Sequence, residues 1–212
     1  HCALCWWHNI RLLSQSTFAL QNLLRICEEE LIYLDMSINV KKSCSIRIGP
    51  RCNASCENLS TFEGLKLPWV DEIRYLGIYI IKFRYFKCSL DHAKRSFYGS
   101  ANSIFGKIGR IASEEIVLEL IKKKCIPVLL YGLEVFTLNI TQQRSLNFPF
   151  TRLLMKLFKT SSTDNINDVM YYFNLYQPSK MVEWSRTKFL KRFNNSDNIL
   201  CKICANFVNE AT

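Results

Sequence analysis

From Ser89 to about Phe193 the apolar residues recur at helical spacing almost without a break, whereas the first 88 residues mix one helical stretch with short alternating runs. That asymmetry confines the chain to an α+β architecture with its strands gathered at the front. Ala93, Phe97, Ala101, Ile104, Phe105, Ile108 and Ile111 make the first stripe, with Lys94, Arg95, Lys107 and Arg110 off it. Ser89 suits its N-cap, with Asp91 in the first turn. A second helix is expected after Ser113, with Glu114 and Glu115 at its start and Lys122, Lys123 and Lys124 at its end, an order of charge that suits the helix dipole. Pro127 is expected to open a third, short helix through Val135. Beyond Thr141, Leu146, Phe150, Leu153, Leu154, Leu157 and Phe158 form one stripe, and Ile166, Val169, Met170 and Phe173 another. Ser179 to Phe193 reads as a last helix with Lys180, Arg186, Lys188, Lys191 and Arg192 exposed.

In the front part, Ser14 or Ser16 opens a helix carrying Leu20, Leu23, Leu24, Cys27, Leu31 and Leu34 on its apolar face. Arg25, Glu28, Glu29 and Glu30 fall mostly on the other face. Cys44, Ile46 and Ile48 alternate with Ser45 and Arg47, the mark of a half-buried strand that Gly49-Pro50 ends. Residues 50 to 64 read as a polar connection, and Leu65 to Leu67 as a short strand. Ile73 to Ile81 is a β-branched and aromatic run expected to be one strand, with a bulge or a close backbone approach at Gly77.

A hydrophobic content of 49% supports a packed core. The formal charge of +10, from 28 Lys+Arg against 18 Asp+Glu, favours an anionic partner, nucleic acid before membrane. The longest apolar run, Cys125 to Leu133, is far below the roughly 20 residues of a membrane helix. Ten scattered cysteines without a secretion signal imply a reduced, intracellular protein of nucleus or cytoplasm. Beginning at His1, the chain reads as a piece of a longer translation.

Two stretches carry a family resemblance. Leu34 to Cys44 contains Asn39-Val40-Lys41-Lys42-Ser43, and Val70 to Ile80 contains Tyr75-Leu76-Gly77. Together they resemble the fourth and fifth palm motifs of reverse transcriptases from non-LTR, LINE-like or jockey-like retrotransposons. There the first motif sits on a helix-to-strand turn, and the second on a hairpin that holds the primer end. Pro127, Leu129, Tyr131, Gly132 and Glu134 are similar to a stretch of that family's helical thumb. The resemblance implies RNA-directed DNA polymerase ancestry, with Mg²⁺ as the intact enzyme's cofactor and an RNA template with a DNA primer as its partner. It implies nucleic-acid contacts at Lys41, Lys42, Arg74, Tyr75, Leu76 and Gly77, and along a basic helix face at Lys94, Arg95, Lys107 and Arg110. Lys42 matches the family lysine proposed as general acid toward pyrophosphate.

The family's aromatic-Ala-Asp-Asp turn precedes the first helix. Here that place reads Cys5-Trp6-Trp7-His8-Asn9, and the first acidic residue of the chain is Glu28. Two-metal nucleotidyl transfer needs carboxylates to hold Mg²⁺, so catalysis by this chain alone is not expected. A two-base shift of Tyr-Ala-Asp-Asp codons, with each stop changed to Trp, yields Cys-Trp-Trp-His, the pattern of a frame-shifted relic. The expected order is an α+β partial palm of short antiparallel strands and a packed helix over 1–88, thumb-like helices over 89–136 and a helical tail over 137–212. Such a piece is expected to expose strand edges and apolar helix faces and to be marginally soluble. The alternative is a domesticated nucleic-acid-binding module, or an interaction module stabilised by zinc at Cys2, Cys5 and His8, with Cys201 and Cys204 as a possible second pair.

Overall fold

A computed structural model describes residues 10–109, 111–199, 201 and 202, and the chain path of residues 2–7. The architecture is α+β, with short antiparallel strands and a long helical part. It divides into two compact units, His1–Ser89 and Leu90–Thr212.

In the first unit, β1 (Cys2–Trp7) pairs antiparallel with both β2 (Ile10–Ser14) and β3 (Cys44–Ile48), giving the order β2-β1-β3. Helix α1 (Thr17–Tyr33) lies between β2 and β3 in sequence, and the Ser16 hydroxyl caps it by accepting from the Ala19 N–H at 3.1 Å. Leu20, Leu24 and Leu31 are buried as their spacing requires. Leu23 is more than one-third exposed, and Leu34 lies beyond the helix at its exposed C-cap. Glu28 reverses its expectation, being only 8% exposed.

The cause of that reversal is a small hairpin. Residues 50 to 64 are not wholly a connection, because β4 (Leu59–Ser60) pairs with β5 (Lys66–Leu67). Leu59 and Leu67 join Leu20 and Leu24 in one core, with Leu12, Ile38, Val40 and Trp69 at its margin. Packing a hairpin on α1 brings backbone donors to the helix surface, and Glu28 turns in to accept from the Phe62 N–H at 3.1 and 3.2 Å.

A second core joins Ile46 and Ile48 of β3 to Ile73 and Ile80. The run Ile73–Ile81 is not one bulged strand: β6 (Glu72–Tyr75) and β7 (Ile78–Ile81) form a hairpin, extended by β8 (Lys87–Cys88). Leu76 and Gly77, at φ 45° and 84°, make a two-residue turn of the type that matches strand twist. On β3, Ser45 is fully buried, because residues 68–70 add a parallel bridge along its edge through Ser45 N–H to Pro68 O and Val70 N–H to Ser45 O.

The second unit is helical: α2 (Leu90–Ile108), α3 (Glu114–Leu120), α4 (Ile126–Leu130), α5 (Ile140–Leu157), α6 (Thr163–Tyr172) and α7 (Pro178–Asn194). Ile111, expected in the first stripe, lies past the end of α2 and is exposed. Pro127 does not start a separate helix. A π turn over Ile121–Cys125 joins α3 to α4, with Ile126 N–H bonded to Ile121 O. Proline lacks an N–H and its ring crowds the carbonyl four residues back, and the wider turn makes room for it. Ile121, Cys125 and Leu129 stay fully buried on one side of the continuing helix. Gly132, at φ 69°, then ends it, and Leu133–Val135 is a 3₁₀ turn. Asn139 and Gln142 form a capping box on α5. The Asn147 side chain of α5 accepts from the Ser179 N–H at 2.9 Å, supplying a tertiary cap for α7.

Candidate nucleic-acid interface

The Asn39-x-x-Lys42-Ser43 pattern folds as a tight turn between α1 and β3. Asn39 caps a 3₁₀ turn over Val40–Lys42, its Oδ1 accepting from the Lys42 N–H at 3.3 Å. The Ser43 hydroxyl donates to the Asn39 carbonyl at 2.8 Å. Asn39 and Ser43 are thus accounted for by the turn itself. The side chains of Lys41 and Lys42 are not used by it and are exposed.

The β6–β7 hairpin sorts its residues by side. Ile73 and Ile80 face the core, while Arg74 opposes Tyr79 with its guanidinium 5.9 Å from the ring centroid. Arg74 is exposed. Tyr75 is half-buried against the Ile46 core, and the Arg11 guanidinium lies 4.1 Å from its ring centroid. Its ring is therefore held between strands, and Arg11, which no sequence signal pointed to, is the residue that covers it. Leu76 sits at the tip, 66% exposed at positive φ.

The basic residues of α2 do not form one face. At 100° per residue, Lys107 stands about 140° from Lys94 and about 120° from Arg95 around the helix. The Lys94 ammonium is engaged twice, with Asp91 at 2.8 Å and with the Ser145 hydroxyl at 3.0 Å. That contact holds the Asp91 carboxyl below its ordinary range. Arg95 and Lys107 are exposed. Arg110 lies outside the described residues. Between Pro127 and Val135, Leu129 is buried, Tyr131 is exposed, and the carbonyls of Glu134 and Val135 accept from Arg186 at 3.4 and 3.2 Å.

Cys2 and Cys5 belong to β1, where the chain path alone is described; His8 and Cys204 lie outside the described residues. Among the described residues, no group of three or more His, Cys, Asp or Glu side chains is arranged to hold a metal ion. Burial raises the thiols of Cys27, Cys44 and Cys125, and pushes that of Cys88 up to about 11. At neutral pH these are protonated side chains that pack as small hydrophobes. Among the described residues, no helix is long and apolar enough to cross a membrane.

No family model, no curated protein and no solved structure matches the chain.

Proposed function

We propose that the chain is the end of a palm and the thumb of a polymerase related to the non-LTR retrotransposon reverse transcriptases. It acts inside the cell, in nucleus or cytoplasm, by gripping an RNA template with its DNA primer, and it does not catalyse nucleotide addition by itself. The observation that carries this reading is the hairpin tip. Leu76 is a leucine held at φ 45° and largely exposed. That position costs stability both ways, since asparagine or glycine suits the turn and a polar residue suits the solvent. Strained residues of this kind cluster at ligand clamps and active sites, and here the strain coincides with exposure of a large apolar side chain. Exposed Arg74 beside it supplies charge for a phosphate, and exposed Lys41 and Lys42 supply more in the same unit. Magnesium belongs to the intact enzyme, whose carboxylate turn has no counterpart between Cys5 and Asn9 of this sequence.

The test is binding of a labelled RNA–DNA template–primer duplex over a salt series. Affinity is expected to fall by two orders of magnitude or more between about 50 and 200 mM salt if six or so phosphates are neutralised. Lys42→Glu and Arg74→Glu should each flatten the dependence. A flat salt response of the parent chain would overturn the reading.

A further inference from the structure

In the second unit, α2 and α5 pack together and border a cavity of about 530 Å³. That is within the range of sites that take a small organic group. From α2 it is lined by Asp91, Lys94, Arg95 and Tyr98, spaced i, i+3, i+4 and i+7 on one helix face. From α5 come Ser145, Phe148 and Pro149, and Arg152 continues that stripe with its guanidinium 5.8 Å from the Phe148 ring centroid.

The charges are not equally open to a ligand. Asp91 is neutralised by Lys94, which also donates to Ser145. Arg95 is exposed and makes no hydrogen bond or ion pair among the described residues, though the Asp91 charge lies near it, and Arg152 is exposed beside its ring. What a ligand meets is therefore positive. It also meets two aromatic rings at the surface, Phe148 at 59% exposure and Tyr98 at 36%. A complementary occupant is anionic and carries a flat apolar face. A nucleotide has both, and surfaces that bind single strands combine aromatic stacking platforms with cations along the backbone. A duplex has its bases already stacked and offers such rings nothing.

We propose that the groove between α2 and α5 takes one unstacked nucleotide of single-stranded nucleic acid, its base against Tyr98 and Phe148 and its phosphate at Arg95. This rests on the reading of the chain as a nucleic-acid-binding protein, and adds a single-strand site to the duplex grip.

The experiment uses the full chain and two probes: a single-stranded DNA oligonucleotide carrying one 2-aminopurine, and a labelled RNA–DNA duplex. Stacking should quench the 2-aminopurine on binding. Phe148→Ala and Tyr98→Ala should each weaken single-strand affinity about tenfold, with duplex affinity changed less than about twofold. Phe148→Trp should retain the quenching, and Arg95→Glu should weaken single-strand binding while leaving stacking-dependent quenching at saturation. The proposal falls if the alanine variants bind the single strand as the parent does, or if both probes weaken alike. Duplex binding without single-strand binding removes the groove and leaves the grip standing. Single-strand binding lost with Phe148, in a chain that ignores the duplex, does the reverse. A chain that binds neither probe removes both.

Discussion

The carboxamide of Gln21 and the backbone of Ser60 exchange two hydrogen bonds across 39 residues, Nε2 donating to the Ser60 carbonyl at 2.7 Å and the Ser60 N–H donating to Oε1 at 2.9 Å. The side chain stands in for a neighbouring strand along β4. Two helical turns further on, Glu28 does the same for the Phe62 N–H. Together they fasten a hairpin of two short strands to α1, where too few ladder bonds exist to hold it alone.

Gln21→Ala is expected to lower stability by about 1–3 kcal/mol, because it leaves part-buried backbone groups without partners. Gln21→Glu should cost more, since a carboxylate oxygen would then face the Ser60 carbonyl. Urea unfolding reads both as a lower midpoint at unchanged slope. An unmoved midpoint would show that water replaces the carboxamide without loss.

Burial raises the Glu28 carboxyl above its ordinary 4.5; the Phe62 N–H partly opposes the rise, and the Glu63 charge adds to it. A raised folded-state value favours the protonated form, so this group's contribution is greatest below about pH 4.5 and is lost as pH rises through the folded value. Glu28→Gln keeps an oxygen for the Phe62 N–H and cannot ionise. Its melting temperature should therefore gain on the parent's as pH goes from 4 to 7. A constant difference across that range would refute the assignment.

Among the described residues, three helices end with a residue other than glycine in the left-handed region: Asp35, Lys159 and Asn174, at φ 55°, 51° and 48°. Each end is closed by a backbone bond from the following residue: Met36 to Leu31, Thr160 to Met155 and Leu175 to Met170. Lys159→Gly and Asp35→Gly should each stabilise by about 1 kcal/mol, and Asn174→Gly by less, because asparagine tolerates this conformation. Thermal melts would reveal it, and a loss at Lys159 would mean that its side chain contributes more than its backbone costs.

Leu76→Asn separates stability from binding at the hairpin tip. Asparagine suits the first position of this turn, so the variant should gain about 1 kcal/mol. Under the proposed grip, its affinity for template–primer duplex should nonetheless fall. Equal or tighter binding would leave Leu76 without a role in the interface.

The outer side of α1 carries Leu23, Ile26 and Tyr33, all exposed, and Phe18 is exposed near its start. Ile26→Lys with Tyr33→Lys should raise the concentration at which the protein stays in solution, with stability moved by no more than about 0.5 kcal/mol. A drop in melting temperature beyond that would indicate that these side chains are covered in solution.

Helix positions, the Ser16 start of α1 and the strand Cys44–Ile48 were legible because periodicity and capping act over a few residues. Periodicity alone read this run as one strand interrupted at Gly77, whereas the family resemblance placed Tyr75-Leu76-Gly77 on a hairpin; a bulge and a hairpin both rest on a glycine within a β-rich run, and only pairing tells them apart. The proline at 127 was read as a helix start. The packing of Ile121, Cys125 and Leu129 carries the helix through it. Among the candidate site residues, the turn roles of Asn39 and Ser43 follow from local geometry, while the covering of Tyr75 by Arg11 joins strands more than 60 residues apart and left no local mark.

What the sequence by itself determined is the set of local commitments: which segments are helical, the Ser16 cap of the first of them, and most of the apolar residues that face inward. Each depends on atoms within about four positions of one another, so chain geometry alone brings them together. The tertiary structure decided the partners of the polar side chains: Gln21 with Ser60, Glu28 with Phe62, Lys94 with Ser145 and Asn147 with Ser179. Those pairs span 32 to 51 residues, and they form only after apolar burial has brought distant segments together and left their donors and acceptors to find one another away from water.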